Sequence, residues 1–266
     1  MKRWIPFTKR PPVVSVIHLS GVISSAARGA ALNDVGPAPL IERAFKKGKP
    51  AAVALLLNSP GGSPVQSSLI AARIRRLAEE KSIPVYAFVE DVAASGGYWL
   101  ATAADEIWVD ENSVVGSIGV ISAGFGFHEF IDRHGIERRV HTAGKSKSTL
   151  DPFRPEKPAD VKKLNAILTQ IHESFIARVK QRRGSKLVDK PSLFTGEFWV
   201  GTQAVDLGLV DGIGHLVPTM KARFGDKVRF NNFTRKRPFL ARFGARIIDG
   251  TLNDLEERAQ FARFGL

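Results

Sequence analysis

The chain has 266 residues, 44% of them hydrophobic and 24% charged, so it can bury a sizeable core and is not disordered throughout. It contains no cysteine, which excludes disulfides, thiolate metal sites and cysteine nucleophiles together and leaves the redox compartment open. The formal net charge of +13 is concentrated at the ends: residues 1–12 carry Lys2, Arg3, Lys9 and Arg10 with no acid, and residues 221–246 carry nine basic residues against Asp226 alone. The body between them is close to neutral, so electrostatic partners are expected at the two ends of the chain.

After the basic arm, residues 13–27 form an uncharged run. Pro11, Pro12, His18, Gly21 and four serines make it too short and too polar for an export signal or a membrane span of about 20 residues. The pattern of Val14, Val16, Ile17 and Leu19, closed by Ser20 and Gly21, predicts a first strand over 13–19 instead. Further strand-length apolar runs lie at 51–57, 83–89, 106–109 and 114–121, with helices predicted at 38–47, 64–80 and 96–103. Such alternation, with strands apolar on both faces, predicts a layered α/β fold around a mostly parallel sheet. Then the texture changes: a helix is predicted at 125–134, a strand at 136–142, a polar stretch at 143–157 and a long helix at 158–182. That helix opens on Pro158 and Asp160 and carries one stripe of Leu164, Ile167, Leu168, Ile171, Phe175 and Val179. A short helix, a strand and a turn are expected within 193–214.

The expected organisation is a basic arm at 1–12, a catalytic domain at 13–220 and a basic C-terminal segment at 221–266. Within the last, Leu240, Phe243, Ile247, Leu252 and Leu255 predict an amphipathic helix over 239–264, weakened by Gly244 and Gly250. It is expected to dock on its own domain or a neighbouring subunit, with peripheral contact to an anionic membrane surface as the alternative. No groove-reading or base-stacking module accompanies the charge, so nucleic acid is not an expected partner. The six histidines never show the i, i+4 spacing with an intervening acid that a helical zinc site needs. Neither a metal nor another cofactor is expected.

Three glycine-bearing turns follow three of the predicted strands. Asn58-Ser59-Pro60-Gly61-Gly62-Ser63 leaves the second strand, and its paired glycines let the backbone approach a ligand. Ala94-Ser95-Gly96-Gly97 stands where the third strand enters a helix. Ser95 there is either a plain helix cap or a nucleophile beside the Gly96 N–H, which could hold an oxyanion. Gly116-Ser117-Ile118-Gly119 is the third turn, and Lys145 and Lys147 follow it. No histidine takes an obvious base position, so a neutral lysine is the base to look for.

Taken together, the order and spacing of these four motifs resemble the signal peptide peptidase A (SppA/SohB) family of Ser-Lys serine peptidases, from about residue 13 to 216. The resemblance implies a ClpP/crotonase-type fold, ring-like homo-oligomers and cleavage of unfolded or membrane-derived peptides. It implies Ser95 as nucleophile, Lys147 as general base with Lys145 as rival, Ser117 as the serine that hydrogen-bonds the lysine, and Gly62 and Gly96 as oxyanion-hole donors. Most members begin with a membrane-spanning helix, whereas the first 12 residues here are short and basic. A cytoplasmic protein, soluble or peripheral at the membrane face, is the resulting expectation. Trp99, Phe125, Phe127 and Phe153 suggest an apolar cleavage preference. A lysine base must act neutral, and an ordinary lysine with a pKa of about 10.4 is under ~1% neutral at pH 7, so the site must lower it by about two to three units. The competing classes are a crotonase-like acyl-CoA enzyme and a catalytically idle scaffold, in which Ser95 caps a helix and Lys147 is a solvated surface residue.

Overall fold

The apolar runs of the sequence become the strands of one sheet. The computed structural model describes residues 11–25, 31–144, 146–234 and 259–265. In chain order its elements are β1 (Val13–Ser20), α1 (Ala38–Lys46), β2 (Ala52–Ser59), α2 (Pro64–Lys81), β3 (Val85–Ala94), α3 (Gly96–Ala101), β4 (Glu106–Val109) and β5 (Val114–Gly116). There follow α4 (His128–Arg133), α5 (Pro158–Arg183), β6 (Phe198–Val200), α6 (Gly201–Asp206), β7 (Gly212–Ile213), α7 (Leu216–Phe224) and β8 (Arg229–Phe233). The strands are ordered β6-β5-β3-β2-β1-β8, with β4 pairing β3 and β7 pairing β4. Among the described residues only β5 and β6 run antiparallel.

Strand alternation sorts the core onto two faces. Ile17, Leu19, Val53, Leu55 and Leu57 face α1 and α2, where Ile41, Phe45, Ile70 and Ile74 are also buried. Each such side chain contributes about 1.5–3 kcal/mol by leaving water. On the opposite face Val14, Val16, Ala52, Ala54, Tyr86 and Phe88 pack with Met220 and Phe224 of α7. The mostly parallel α/β sheet with covering helices is therefore as the sequence predicts.

Beyond residue 220 the fold continues. The sequence boundary at 220 falls inside α7, and β8 pairs along β1 with Val13 opposite Arg229 and Ile17 opposite Phe233. Part of the basic segment is structural: Arg223 clamps Glu106 through both terminal nitrogens, at 2.7 and 2.8 Å, and lies 4.6 Å from the Tyr86 ring centroid. The Glu106 carboxylate raises the Arg223 pKa further above its ordinary value.

Several predicted elements are corrected. No strand forms at 136–142, because Glu137, Arg138 and Arg139 spend their charges on local partners and Ile136 is exposed, with no facing strand. The strand expected over 114–121 ends at Gly116, and the helix expected at 125–134 shortens to α4. In α5 only Phe175, Val179 and Arg183 are buried. Its N-terminal half has no sheet beneath it, which leaves Ile167 46% exposed despite the continuous apolar stripe. Most of the helix predicted over 239–264, namely 239–258, lies outside the described residues. Phe261 and Phe264, which are described, pack against Val92, Ala94 and Val114. Among the described residues no helix is long and apolar enough to cross a membrane.

β3 determines where the site lies, because it serves two partners in succession. Tyr86–Val89 pair with β4 and Val92–Ala94 with β5. Between them the register to β2 shifts, and the Ser113 hydroxyl ties down the Glu90 carbonyl at 2.5 Å. That irregularity carries the end of β3 against the turn that leaves β2.

Candidate active site

Ser95 stands between the end of β3 and the start of α3 with φ 51° and ψ −120°. A left-handed φ on a non-glycine residue costs on the order of 1–3 kcal/mol and persists only where the surroundings impose it. Here the Ser95 N–H donates to the Gly116 carbonyl at 2.8 Å, and the Ser95 carbonyl accepts from Trp99 N–H at 3.0 Å. The residue is thus pinned between β5 and α3 in a strained strand-to-helix elbow, a geometry that projects a side chain away from the sheet. Its hydroxyl makes no capping hydrogen bond to α3. Ser63 behaves differently at the start of α2, where its hydroxyl accepts from Gln66 N–H at 3.4 Å. The helix-cap reading of Ser95 is therefore not the one the geometry favours.

The β2 turn packs directly on this elbow. A Cβ on Gly61 would lie 2.8 Å from Gly96 N and 2.9 Å from Ser95 Cβ, and one on Gly97 would lie 2.3 Å from the Ser59 carbonyl oxygen. Such closeness excludes side chains at both positions. Buried Ser59 shapes the turn internally, donating to the Gly21 carbonyl at 2.7 Å and accepting from Gly61 N–H at 3.2 Å. Gly62 and Gly96 come together, since a Cβ on Gly96 would lie 3.3 Å from Gly62 N. Among the described residues neither the Gly62 nor the Gly96 N–H has a hydrogen-bond partner. Gly96 is the first residue of α3, where a helix leaves its N–H groups unspent. Two unspent donors and a hydroxyl that caps no helix therefore lie close together where the parallel strands β2 and β3 end.

Ser117 follows β5 directly, again at positive φ (52°), and its N–H donates to the Glu197 carbonyl at 2.6 Å. His172 Nε2 of α5 donates to the Ile118 carbonyl at 3.0 Å and anchors this turn to the long helix. The Gly116–Gly119 turn thus adjoins the elbow through the bond from Ser95 to Gly116.

Lys147 lies in the segment between α4 and α5. It sits in the turn that follows Gly144, its N–H donating to the Gly144 carbonyl at 3.2 Å, and its side chain is exposed. Among the described residues no hydrogen bond joins it to Ser95. Lys145 lies outside the described residues. The segment around Lys147 folds on itself: Phe127 stacks on Phe153 with centroids 5.7 Å apart, and Arg138 lies 5.1 Å from the Phe153 ring centroid. The Phe153 N–H, Arg138 and Ser148 hold the Asp151 carboxyl below its ordinary range, so this neighbour of the lysine turn is an anion with local partners. Nearer β3, burial raises the pKa of Glu90, and Asp91 accepts from Asn58 Nδ2 at 2.6 Å. Trp99 is a core residue, 8% exposed and 5.0 Å from the Phe175 ring, which removes it from the surfaces that could read a substrate. Ser67 escaped sequence reasoning. It is fully buried on α2, donates to the Ser63 carbonyl at 2.9 Å and abuts Gly96, and its only signal is a serine on an otherwise apolar helix face.

The serine elbow stands on a mostly parallel α/β sheet with covering helices, a fold of the ClpP type shared with solved proteases. The solved structure of the 1510-N membrane-bound stomatin-specific protease, a lysine-to-alanine variant with a substrate peptide bound, superposes with a TM-score of 0.53 at 14% identity, over 92% of this chain and 98% of that one. At that identity the likeness speaks for the fold. The sequence profile of peptidase family S49 matches residues 78–223, and the chain belongs to that family, whose SppA and SohB members are serine peptidases. It is 32% identical over 202 residues to the probable protease SohB of Haemophilus influenzae, covering 76% of this chain and 56% of that protein. It is also 45% identical over 286 aligned positions to a Brucella melitensis protein named Na(+)/H(+) antiporter NhaA, covering all of this chain and 39% of that protein. The chain thus spans between about two fifths and three fifths of the length of these two relatives.

Proposed function

We propose that this chain is a serine endopeptidase in which Ser95 and Lys147 form the catalytic dyad. The observation that carries the reading is the strained elbow that presents the Ser95 hydroxyl, unused as a helix cap, beside the unspent N–H groups of Gly62 and Gly96. Neutral Lys147 Nζ takes the Ser95 Oγ proton as Oγ bonds to the scissile carbonyl carbon. The two N–H groups hold the resulting oxyanion, each such donor being worth about 3–4 kcal/mol in acyl transfer. Collapse breaks the C–N bond, and the leaving amine receives the proton from Lys147. Water, deprotonated by the same lysine, then adds to the acyl carbon; collapse breaks the bond to Ser95 Oγ, and the lysine returns the proton to Oγ. Ser117 is assigned to orient the lysine.

The exposed position of Lys147 in a single chain bears on assembly. A lysine loses its proton readily only where it is desolvated. The segment from Gly119 to the start of α5 carries Ile121, Phe125, Phe130 and Ile136 at 54–80% exposure. Covering that apolar surface with a second copy would bury the lysine turn as well, which favours a homo-oligomer, ring-like in the proposed form. The substrates proposed are unfolded or membrane-derived peptides, met at the cytoplasmic membrane face where the basic ends of the chain make peripheral contact. In support, the structural relative is named membrane-bound and binds a substrate peptide, and the Brucella relative is named an antiporter. The solved variants of the structural relative replace a serine and a lysine by alanine.

The test is hydrolysis of an unstructured, apolar-rich fluorogenic peptide from about pH 6 to 10 by wild type, Ser95→Ala, Lys147→Ala and Lys145→Ala. The expected result is a rising alkaline limb in wild type and in Lys145→Ala, with the other two variants folded and inactive. Equal rates in wild type and Ser95→Ala would refute the nucleophile, and a normal rate in Lys147→Ala would refute the base.

A further inference from the structure

The two N–H donors are useful only if their peptides face the right way, and the turn that carries Gly62 is built of glycines at φ 105° and 132° that oppose no rotation by themselves. Something outside the turn must fix it. A short strand fragment after β1 lies parallel to the turn, with Ile23 paired to Gly62. Ile23 N–H donates to the Gly61 carbonyl at 2.7 Å, and the Ile23 carbonyl accepts from Ser63 N–H at 2.7 Å. In a trans peptide the C=O and the following N–H point in opposite directions. With the Gly61 oxygen held toward Ile23, the Gly62 N–H is turned away from it, to the side where Gly96 lies. A flipped peptide would aim the Gly61 oxygen at the developing oxyanion and repel it.

Ile23 reaches the second donor too. It is 1% exposed, and its Cδ1 lies 3.4 Å from where a Cβ on Gly96 would stand. Its contact with Gly62 is so close that a Cβ there would fall 2.0 Å from the Ile23 oxygen. The fragment is itself braced from outside, by Leu32 N–H to the Val22 carbonyl and Ser24 N–H to the Leu32 carbonyl, both at 2.9 Å.

We infer that Ile23 is the positioning residue of the oxyanion hole: its main chain sets the direction of the Gly62 N–H, and the end of its side chain seats Gly96. The inference rests on the peptidase reading above. Ile23 touches no reacting atom, and its removal acts on the transition state, where charge appears on the oxygen, more than on the bound peptide.

The experiment uses the full chain in four forms: wild type, Ile23→Val (which deletes Cδ1), Ile23→Leu (which keeps a δ-carbon), and a wild-type sequence carrying the α-hydroxy analogue of isoleucine at residue 23, so that an ester replaces the amide and the N–H is lost. The readouts are kcat and KM on the fluorogenic peptide, the rate of Ser95 labelling by a fluorophosphonate, and affinity for a peptide aldehyde, whose serine adduct carries the oxyanion. The ester form is expected to lose about tenfold or more in kcat and in aldehyde affinity with KM within about twofold. Ile23→Val should lose about threefold in the same two quantities, and Ile23→Leu should restore most of that. Unchanged kcat in the ester form, or a rise in KM alone, overturns the inference while leaving the peptidase reading intact. A wild type that neither cleaves nor labels at Ser95 brings down both.

Discussion

Ser95→Gly should be more stable than Ser95→Ala, although both remove the proposed nucleophile. Alanine keeps a Cβ at φ 51° and ψ −120° and so retains the backbone strain, about 1–3 kcal/mol, that glycine releases. Against that relief stand about 0.4–1 kcal/mol for the greater freedom of glycine in the unfolded chain and about 0.4 kcal/mol for a half-buried carbon lost beside Gly61. The hydroxyl cancels, since both variants lack it. Glycine should therefore lead by about 1 kcal/mol, or about 2 °C in Tm for a chain of this length. Urea unfolding of the two variants, compared at equal slope, measures the difference directly. An alanine variant as stable as the glycine variant, or more so, would mean that the elbow is not strained and that the local geometry assigned to Ser95 is wrong.

Two further outcomes concern the frame around the site. Burial opposes ionisation of Asp211, but Arg183 at 2.6 Å, Lys186 and the Ile107 N–H outweigh it and hold the carboxyl below its ordinary pKa. A depressed folded-state pKa contributes stability that is full above the unfolded value of about 3.9 and is lost as pH falls through the folded value. Asp211→Asn strands Arg183, whose side chain is 2% exposed, so it should cost about 3 kcal/mol at pH 7. In urea titrations wild type and variant should begin to converge below about pH 4 and meet only once pH has fallen through the depressed folded-state value, and a gap that stays unchanged through that fall would refute the ion-pair account. Gly97→Ala would set a methyl 2.3 Å from the Ser59 carbonyl and push α3 off the β2 turn. Its expected signature is a Tm lower by several degrees together with slower fluorophosphonate labelling of Ser95, and a variant matching wild type in both would show that the packing is looser than described.

Much of the fold was legible because the central strands are buried on both faces and write themselves as apolar runs. The turns that carry Ser95, Gly62 and Gly96 were legible too, since glycine pairs at strand ends reflect close backbone approach. What escaped was structure held by pairing rather than composition. β8 reads Arg-Phe-Asn-Asn-Phe and looks like part of a charged tail, yet as an edge strand it needs only one partner, β1. β7 is two residues long and has no pattern to read. Conversely, 136–142 is expected to form a strand, but among the described residues no neighbouring strand offers it a ladder. The fragment at Ile23 was hidden for a similar reason: its role comes from the carbonyls it reaches, which no side-chain pattern encodes.

The pairing of β1 with β8 has a consequence for how the chain assembles. Val13 meets Arg229 across more than two hundred residues of sequence, so this ladder closes last and bears the largest loop-closure cost in the sheet. β2 and β3, which build the serine elbow, can pair long before it. During synthesis the outer edge of β1 therefore stays open until the rest of the sheet has emerged, and an open strand edge is a template for mispairing with other chains. A chain halted before Phe233 would hold its serine elbow in place and still carry an uncovered strand along one side.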